Sequence, residues 1–557
     1  MSPSVLIASR GLLLSLLLIA IFLCASASAS AAQRSGRLLV MVERSAQSRA
    51  TTGVLQRLGA RTDGEQVPQI GLVTVRPVIG QTLAATAAIL RRLPWVSSVT
   101  VERRHTPRFH PNDPALSQPE TATGTKSGTL RQWWAARENL FAAWEITRGT
   151  GAKVAIIDSG IDGAHPEFAG KIAAALDNDP RPEYGPANFD EDGHGTHVAS
   201  QACAAGNNAI GIVGSGLNCN LIVLKSDLLD ASVTKSIVDA TDLGADAINM
   251  SFGNSSGAPP PPALVAALNY AIERGAVLVA AADNNDGGQE QGDPANVLQP
   301  TSTGPDIAFN RGLTVTSADY SGLRSTFAGR GSQISLAAHG GYANSGPLGP
   351  NGVLGAWPAN ETLIDSGASP CNCRTTINGD NRYAYLKGTS IAAPQVAGIA
   401  ALVAHLNPDL RSTEVVRLLK QTATRPAGSA WGPELGWGIV NAGAAVDAAR
   451  AIDRRAPTSK ARGPKRLRRK TTFTLRWSGK DVTRPGLVAS GIRRYYVYRS
   501  TNGRKYKKIA STTKKRRRIR TRRGARYRFY TVAVDRKSNR ERRPRRADVS
   551  LRVSRSR

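Results

Sequence analysis

Four short apolar runs recur between residues 154 and 280: Val154–Ile157, Leu221–Leu224, Ala247–Met250 and Val277–Ala280. Short apolar runs of this kind, interrupted here only by Asn249, suit strands buried on both faces of a parallel sheet, since alternation appears only where one face meets water. Stretches with helical spacing lie between or after them, at 232–243, 263–274, 390–406 and 412–422. The pattern predicts an α/β domain over residues 129–450, a parallel sheet with helices on both faces. In such a sheet the functional side chains gather at the C-terminal ends of the strands.

The pattern changes on either side. Between 36 and 104 it predicts strand 38–42, helix 52–58, strand 71–75, helix 84–93 and strand 96–101. That order suits a compact ferredoxin-like α/β domain. Residues 105–128 are rich in Pro, Thr and Gly and read as an exposed linker. Beyond 456 the apolar positions alternate with period two, at 471–477, 495–499, 526–534 and 549–553, with an Asn502-Gly503 turn between strands. This predicts an all-β sandwich over 456–557.

Charge sharpens the division. The 557 residues carry a net charge of +32. From Ala451 onward there are 39 Lys and Arg against 5 Asp and Glu, which leaves 34 against 36 in the first 450 residues. The positive charge therefore belongs to the C-terminal module. Residues 1–32 read as a cleaved export signal: Arg10, an apolar run over 11–24, then alternating Ala and Ser. The run is shorter than the ~20 residues a membrane-spanning helix needs. Four cysteines remain after its removal, Cys203, Cys219, Cys371 and Cys373. An even number in an exported chain points to disulfides, and the expected pairing is Cys203–Cys219 with Cys371–Cys373.

Three blocks carry candidate chemistry. In Val154-Ala-Ile-Ile-Asp158 an acid ends a buried strand. In Asp192-Gly-His-Gly-Thr-His197 glycines expose His194 at a helix start. In Gly388-Thr-Ser-Ile-Ala-Ala-Pro394 Ser390 opens a helix. A serine hydroxyl is a weak nucleophile and needs an adjacent base, and that base needs an orienting carboxylate. Taken together, and in this order, the blocks resemble the signatures of the subtilisin-like serine peptidases. The resemblance covers residues 134–450. It implies a serine endopeptidase with Asp158, His194 and Ser390 as catalytic triad; His197 is assigned to packing.

The resemblance implies more. Asn284 matches the family's oxyanion-binding asparagine, in Ala280-Ala-Ala-Asp-Asn284. Asp283 replaces the usual glycine beside the pocket for the residue before the scissile bond. There a carboxylate would favour a basic side chain, turn outward, or repel the oxyanion. Ser251, Phe252 and Gly253 match the segment that pairs with extended substrate. The loop over 206–212 resembles a structural Ca2+ loop, with side-chain oxygens from Glu167 and Asn208 and carbonyls from Gly206, Ile210 and Ile212. Residues 36–104 resemble an inhibitory propeptide, to be cut away between 104 and 131.

The segment 527–539 resembles the last strands of a fibronectin type III or immunoglobulin-like domain. A module this basic should bind polyanions such as envelope polymers or nucleic acid. The expected protein is a secreted monomer, acting on polypeptides and held in check by its own propeptide. An inactive scaffold and an envelope adhesion protein are the rival readings; intact Asp158, His194 and Ser390 argue against the first.

Overall fold

The computed structural model describes residues 34–43, 52–103, 109–254, 259–285, 288–343, 350–425 and 430–555. The export signal expected over 1–32 lies outside the described residues. The chain divides into two units, residues 1–108 and 109–557.

In the first unit, strands β1 (Arg34–Val42), β2 (Ala60–Val67), β3 (Leu72–Pro77) and β4 (Val96–Arg103) form an antiparallel sheet of order β2-β3-β1-β4. Helices Thr52–Arg57 and Leu83–Leu90 connect them. Leu38, Val40, Leu55, Val75 and Leu90 form the core. Strand β2 is the element that the hydrophobic pattern does not show. It lies at the sheet edge, where polar residues blunt an exposed strand.

The second unit is built on seven parallel strands: β5 (Lys153–Asp158), β6 (Ile172–Asp177), β7 (Asn220–Lys225), β8 (Ala247–Met250), β9 (Val277–Ala281), β10 (Leu313–Ala318) and β11 (Leu336–His339). Their order is β11-β10-β9-β8-β5-β7-β6. In β5, Val154 and Ile156 enter one core while Ala155 and Ile157 enter the other. Both faces are therefore dry, which is why the run reads as unbroken. The helix Thr389–Leu406 is buried in the larger core, against β8, β9 and β10. A small sheet of β12 (Val353–Ala356), β13 (Arg374–Ile377) and β14 (Asp380–Leu386) packs through β12 against the helix His194–Cys203.

The stretch expected to be an exposed linker is one only in part. From Phe109 onward the chain belongs to the second unit. Asp113, Ala115 and Leu116 are buried, and Ala115 donates its N–H to the Gly211 carbonyl at 2.9 Å. Proline and glycine mark irregular backbone, but irregular backbone can lie flat against a core when its polar groups are met.

The C-terminal module is a pair of β-sheets, as the period-two pattern predicts. Its strands are β15 (Thr458–Arg462), β16 (Arg466–Leu467), β17 (Thr472–Lys480), β18 (Ile492–Thr501), β19 (Lys507–Thr512), β20 (Arg516–Arg520), β21 (Arg526–Asp535) and β22 (Val549–Val553). The orders are β15-β17-β20 and β16-β22-β21-β18-β19. Arg484 reaches Asp409 at 2.9 Å, and the Val488 N–H donates to the Arg450 carbonyl. These contacts fasten the module to the parallel-sheet body.

Candidate active site

Asp158 is the last residue of β5, the middle strand of its neighbourhood, and is 3% exposed. His194 opens the helix His194–Cys203. Gly193 before it has φ 98°, and a Cβ there would lie 2.6 Å from the Trp357 ring, so the turn into the helix requires glycine. The His194 Nδ1–H donates to Asp158 Oδ1 at 2.8 Å, which leaves Nε2 for the cleft. Burial works against a charge on His194. The carboxylates of Asp158, Asp192 and Asp190 outweigh it and push the imidazole up to about 9. His197, one turn on, is fully buried with Nε2 on the Val353 carbonyl, and burial depresses it to about 3. It is a neutral packing group.

A cleft of about 390 Å³ is lined by His194, Ser251, Phe252, Asp283, Asn284 and Ser390 among others. The structure thus gathers there the residues expected as base, nucleophile, oxyanion donor and substrate wall. Ser390 lies in the first turn of the core helix, and its carbonyl accepts from the Ser251 hydroxyl at 2.8 Å. A Cβ on Gly388 would come within 2.8 Å of Ser390 Oγ, so glycine keeps that hydroxyl uncrowded. The Thr389 N–H donates to Asn284 Oδ1 at 2.9 Å. That leaves Asn284 Nδ2 as a donor with no partner among the described residues.

Asp283 does not turn outward. The Gly292 N–H lies 3.2 Å from Asp283 Oδ2, and a Cβ on Gly253 would lie 3.0 Å from Oδ1. The carboxylate lies between Gly253 and Gly292, and burial raises its pKa against the Gly292 hydrogen bond. An adjoining cavity of about 640 Å³ shares Asp283 and Asn285 with the cleft. Among the described residues its walls include Asp283 and Glu290 and no Lys or Arg.

The loop expected to hold calcium is hydrogen-bonded to Glu167. Glu167 is fully buried; its Oε1 accepts from the Ile212 N–H at 2.7 Å and the Tyr383 hydroxyl at 3.1 Å, and Asn208 Nδ2 lies 3.4 Å from Oε2. Gly206 and Ile210 belong to the same loop. Asp113 joins the site, a residue that sequence reasoning left in the linker. Its Oδ2 accepts from the Asn207 N–H at 2.8 Å, and its buried Oδ1 has no hydrogen-bond partner among the described residues. Burial pushes Glu167 up to about 8 and raises Asp113 as well. Two buried carboxylates and an orphaned oxygen fit a divalent cation with hard oxygen ligands.

Two more residues escaped the sequence reading. Asp190 is fully buried and accepts from the N–H groups of Gly193 and Thr196 at 2.9 and 2.8 Å and from the Ser159 hydroxyl at 2.8 Å. It satisfies donors at the start of the His194 helix, where a negative charge is favoured. Thr389 orients Asn284, as described. A further fastening comes from the disulfide Cys203–Cys219, which ties the end of the His194 helix to the entry of β7. Closing a loop of this length stabilises by about 3 kcal/mol in the chain-entropy account. Cys371 and Cys373 are also joined.

With the geometry in place, comparison with known proteins decides the family. The subtilase family profile, Peptidase S8, matches residues 149–438, more than half of the chain. The chain belongs to the subtilase family. This subtilase is 31% identical to thermitase of Thermoactinomyces vulgaris over 351 residues, 61% of this chain and 99% of that one. It is 30% identical to a calcium-dependent protease of Trichormus variabilis, over 56% of this chain and 49% of that one. It is 29% identical to an extracellular protease of Xanthomonas campestris pv. campestris, over 66% of this chain and 62% of that one. The subtilase is accordingly a serine-type endopeptidase, with the parallel-sheet fold that the sequence pattern predicts and a β-sheet module after it.

Proposed function

We propose that the protein is exported, matures by removing its own N-terminal domain, and cleaves polypeptides with Asp158, His194 and Ser390. The observation that carries this reading is the 2.8 Å contact of His194 with Asp158, on a histidine that lines one cleft with Ser390. Ser390 Oγ attacks the scissile carbonyl carbon while its proton passes to His194 Nε2. Asp158 holds the imidazole tautomer and stabilises the imidazolium. Asn284 Nδ2 donates to the oxyanion. When the intermediate collapses, the C–N bond breaks and His194 returns the proton to the leaving amine. Water then repeats the sequence on the acyl-enzyme and frees Ser390.

Substrate lies along Ser251-Phe252-Gly253, using backbone hydrogen bonds. Asp283 and the uncompensated acidic cavity beside it favour Lys or Arg before the scissile bond. A structural Ca2+ is held by Asp113, Glu167 and Asn208 with carbonyls of Gly206, Ile210 and Ile212; it supplies charge balance for the buried carboxylates. The relatives named for calcium dependence and for an extracellular location support these two readings. The basic C-terminal module retains the enzyme on anionic polymers outside the cell.

The test is hydrolysis of an unfolded protein substrate by Asp158→Asn, His194→Ala and Ser390→Ala variants. Each should lose nearly all activity, and the variants should accumulate uncleaved between residues 104 and 131. Retained activity in any one of them removes that residue from the proposed triad.

A further inference from the structure

The three-stranded sheet of the C-terminal module turns a cationic face to solvent. Strands β15, β17 and β20 pair antiparallel. Their inward residues Ala461, Leu475, Trp477 and Ile519 are buried in the module's core. The alternate positions therefore point outward. Across the strands Arg462 stands opposite Arg476, and Arg476 opposite Arg516, in register. Lys460 extends the row on one strand, and Arg518 and Arg520 extend it on another, all exposed. The other outward positions are Thr458, Thr472, Thr474, Ser478 and Lys480, so no acid shares the face.

Like charges directly opposed destabilise an antiparallel pair. Three arginines in one row are thus kept at a cost to stability, and the nearly neutral first 450 residues show that the chain is not basic throughout. The cations repeat about 4.8 Å across strands and about 7 Å along them. That makes a grid for an extended anion, not a pocket for a small one. The face has no aromatic residue on which bases could stack and no apolar residue to enter a membrane. Arginine forks interleaved with Ser and Thr hydroxyls are the groups that hold phosphate backbones.

We propose that the outer face of β15, β17 and β20 binds the phosphate backbone of double-stranded nucleic acid without reading its sequence. This rests on the polyanion-binding role given to the module and is independent of the catalytic residues.

Full-length Ser390→Ala protein, which cannot digest itself, is titrated against a 20-base-pair DNA duplex by fluorescence anisotropy at several salt concentrations. The triple change of Arg462, Arg476 and Arg516 to Gln should weaken binding roughly tenfold or more at about 100 mM salt and reduce the log–log salt slope by about 3. Its melting temperature should not fall, since opposed charges are removed. Arg476→Gln alone should show about a third of the slope change, which guards against a misfolded triple variant. A charge-matched triple on the other sheet, Arg494, Arg526 and Arg528 to Gln, should lose less. Equal losses from both triples would overturn the assignment to this face. Binding of a linear polycarboxylate as tight as that of the duplex would overturn the choice of phosphate. Hydrolysis of a short peptide, read with Ser390 intact, should be unchanged by the triple; loss of hydrolysis in the parent would count against the proposed catalysis and leave this site untouched.

Discussion

The backbone N–H of Thr389 donates to the side-chain oxygen of Asn284 at 2.9 Å, one residue before Ser390. A single residue thus both precedes Ser390 in the helix and sets the direction of the amide beside it. Because Asn284 Oδ1 is engaged, its N–H group is the one left to face developing negative charge. Such a donor acts mainly in the transition state, since the ground-state carbonyl oxygen lies elsewhere. Asn284→Ala should therefore lower kcat by about 10²–10³ and change KM little, the size of effect found in a member of the same family. An unchanged kcat would assign the oxyanion to another donor.

The pH dependence follows from the carboxylates around His194. The imidazole must be neutral to act as base, and Asp158, Asp192 and Asp190 favour its charged form, pushing it up to about 9. The acid limb of kcat/KM, which reports the free enzyme, should therefore lie on the alkaline side of neutrality. Asp192 contacts the His194 backbone N–H at 3.2 Å without holding the imidazole. Asp192→Asn removes one raising charge and should move the limb to lower pH. A limb that stays in place would show that Asp192 does not govern the base.

Asp283 gives a prediction about specificity. Wild-type enzyme should cleave peptides with Arg or Lys before the scissile bond faster than matched peptides with Leu or Phe. Asp283→Gly restores a small neutral residue and should reverse the order of kcat/KM. A wild-type preference for Leu or Phe would mean that the carboxylate, held toward Gly292, merely fills the pocket.

The loop around Glu167 predicts a response to chelation. Removing calcium should lower the melting temperature, because the buried Asp113 and Glu167 would lose the cation's charge and keep only the Lys171 ammonium as a neighbouring positive group. Asp113→Asn should lower the apparent Ca2+ affinity and shrink the chelator effect. No shift on chelation would reduce the loop to a hydrogen-bonded turn.

The parts legible in the sequence are those with a local signature. Strand β5 reads as unbroken because its alternate residues enter two cores, and Asp158 follows from its end. Strand β2 does not read, because this edge strand carries polar residues; β6, also at an edge, is Ala-rich and largely exposed, a composition that does not mark a strand. Asp113 was lost for another reason. It comes together with Glu167 through tertiary packing, and its neighbours Asn112 and Pro114 signal only a turn. Asp190 is similar: its carboxylate meets donors on the Gly193–Thr196 turn and on Ser159, and only the first of these is close in sequence. The arginine row of β15, β17 and β20 becomes visible only with the strand register.

The proposed chemistry depends on Ser390 as a nucleophile activated by His194. It is tested most directly by reacting the purified protein with a fluorophosphonate and locating the adduct by peptide mass spectrometry. One phosphonate per molecule is expected, on Ser390, with labelling abolished by Ser390→Ala and strongly slowed by His194→Ala. An unlabelled wild-type protein, or an adduct on another serine that survives Ser390→Ala, would contradict it.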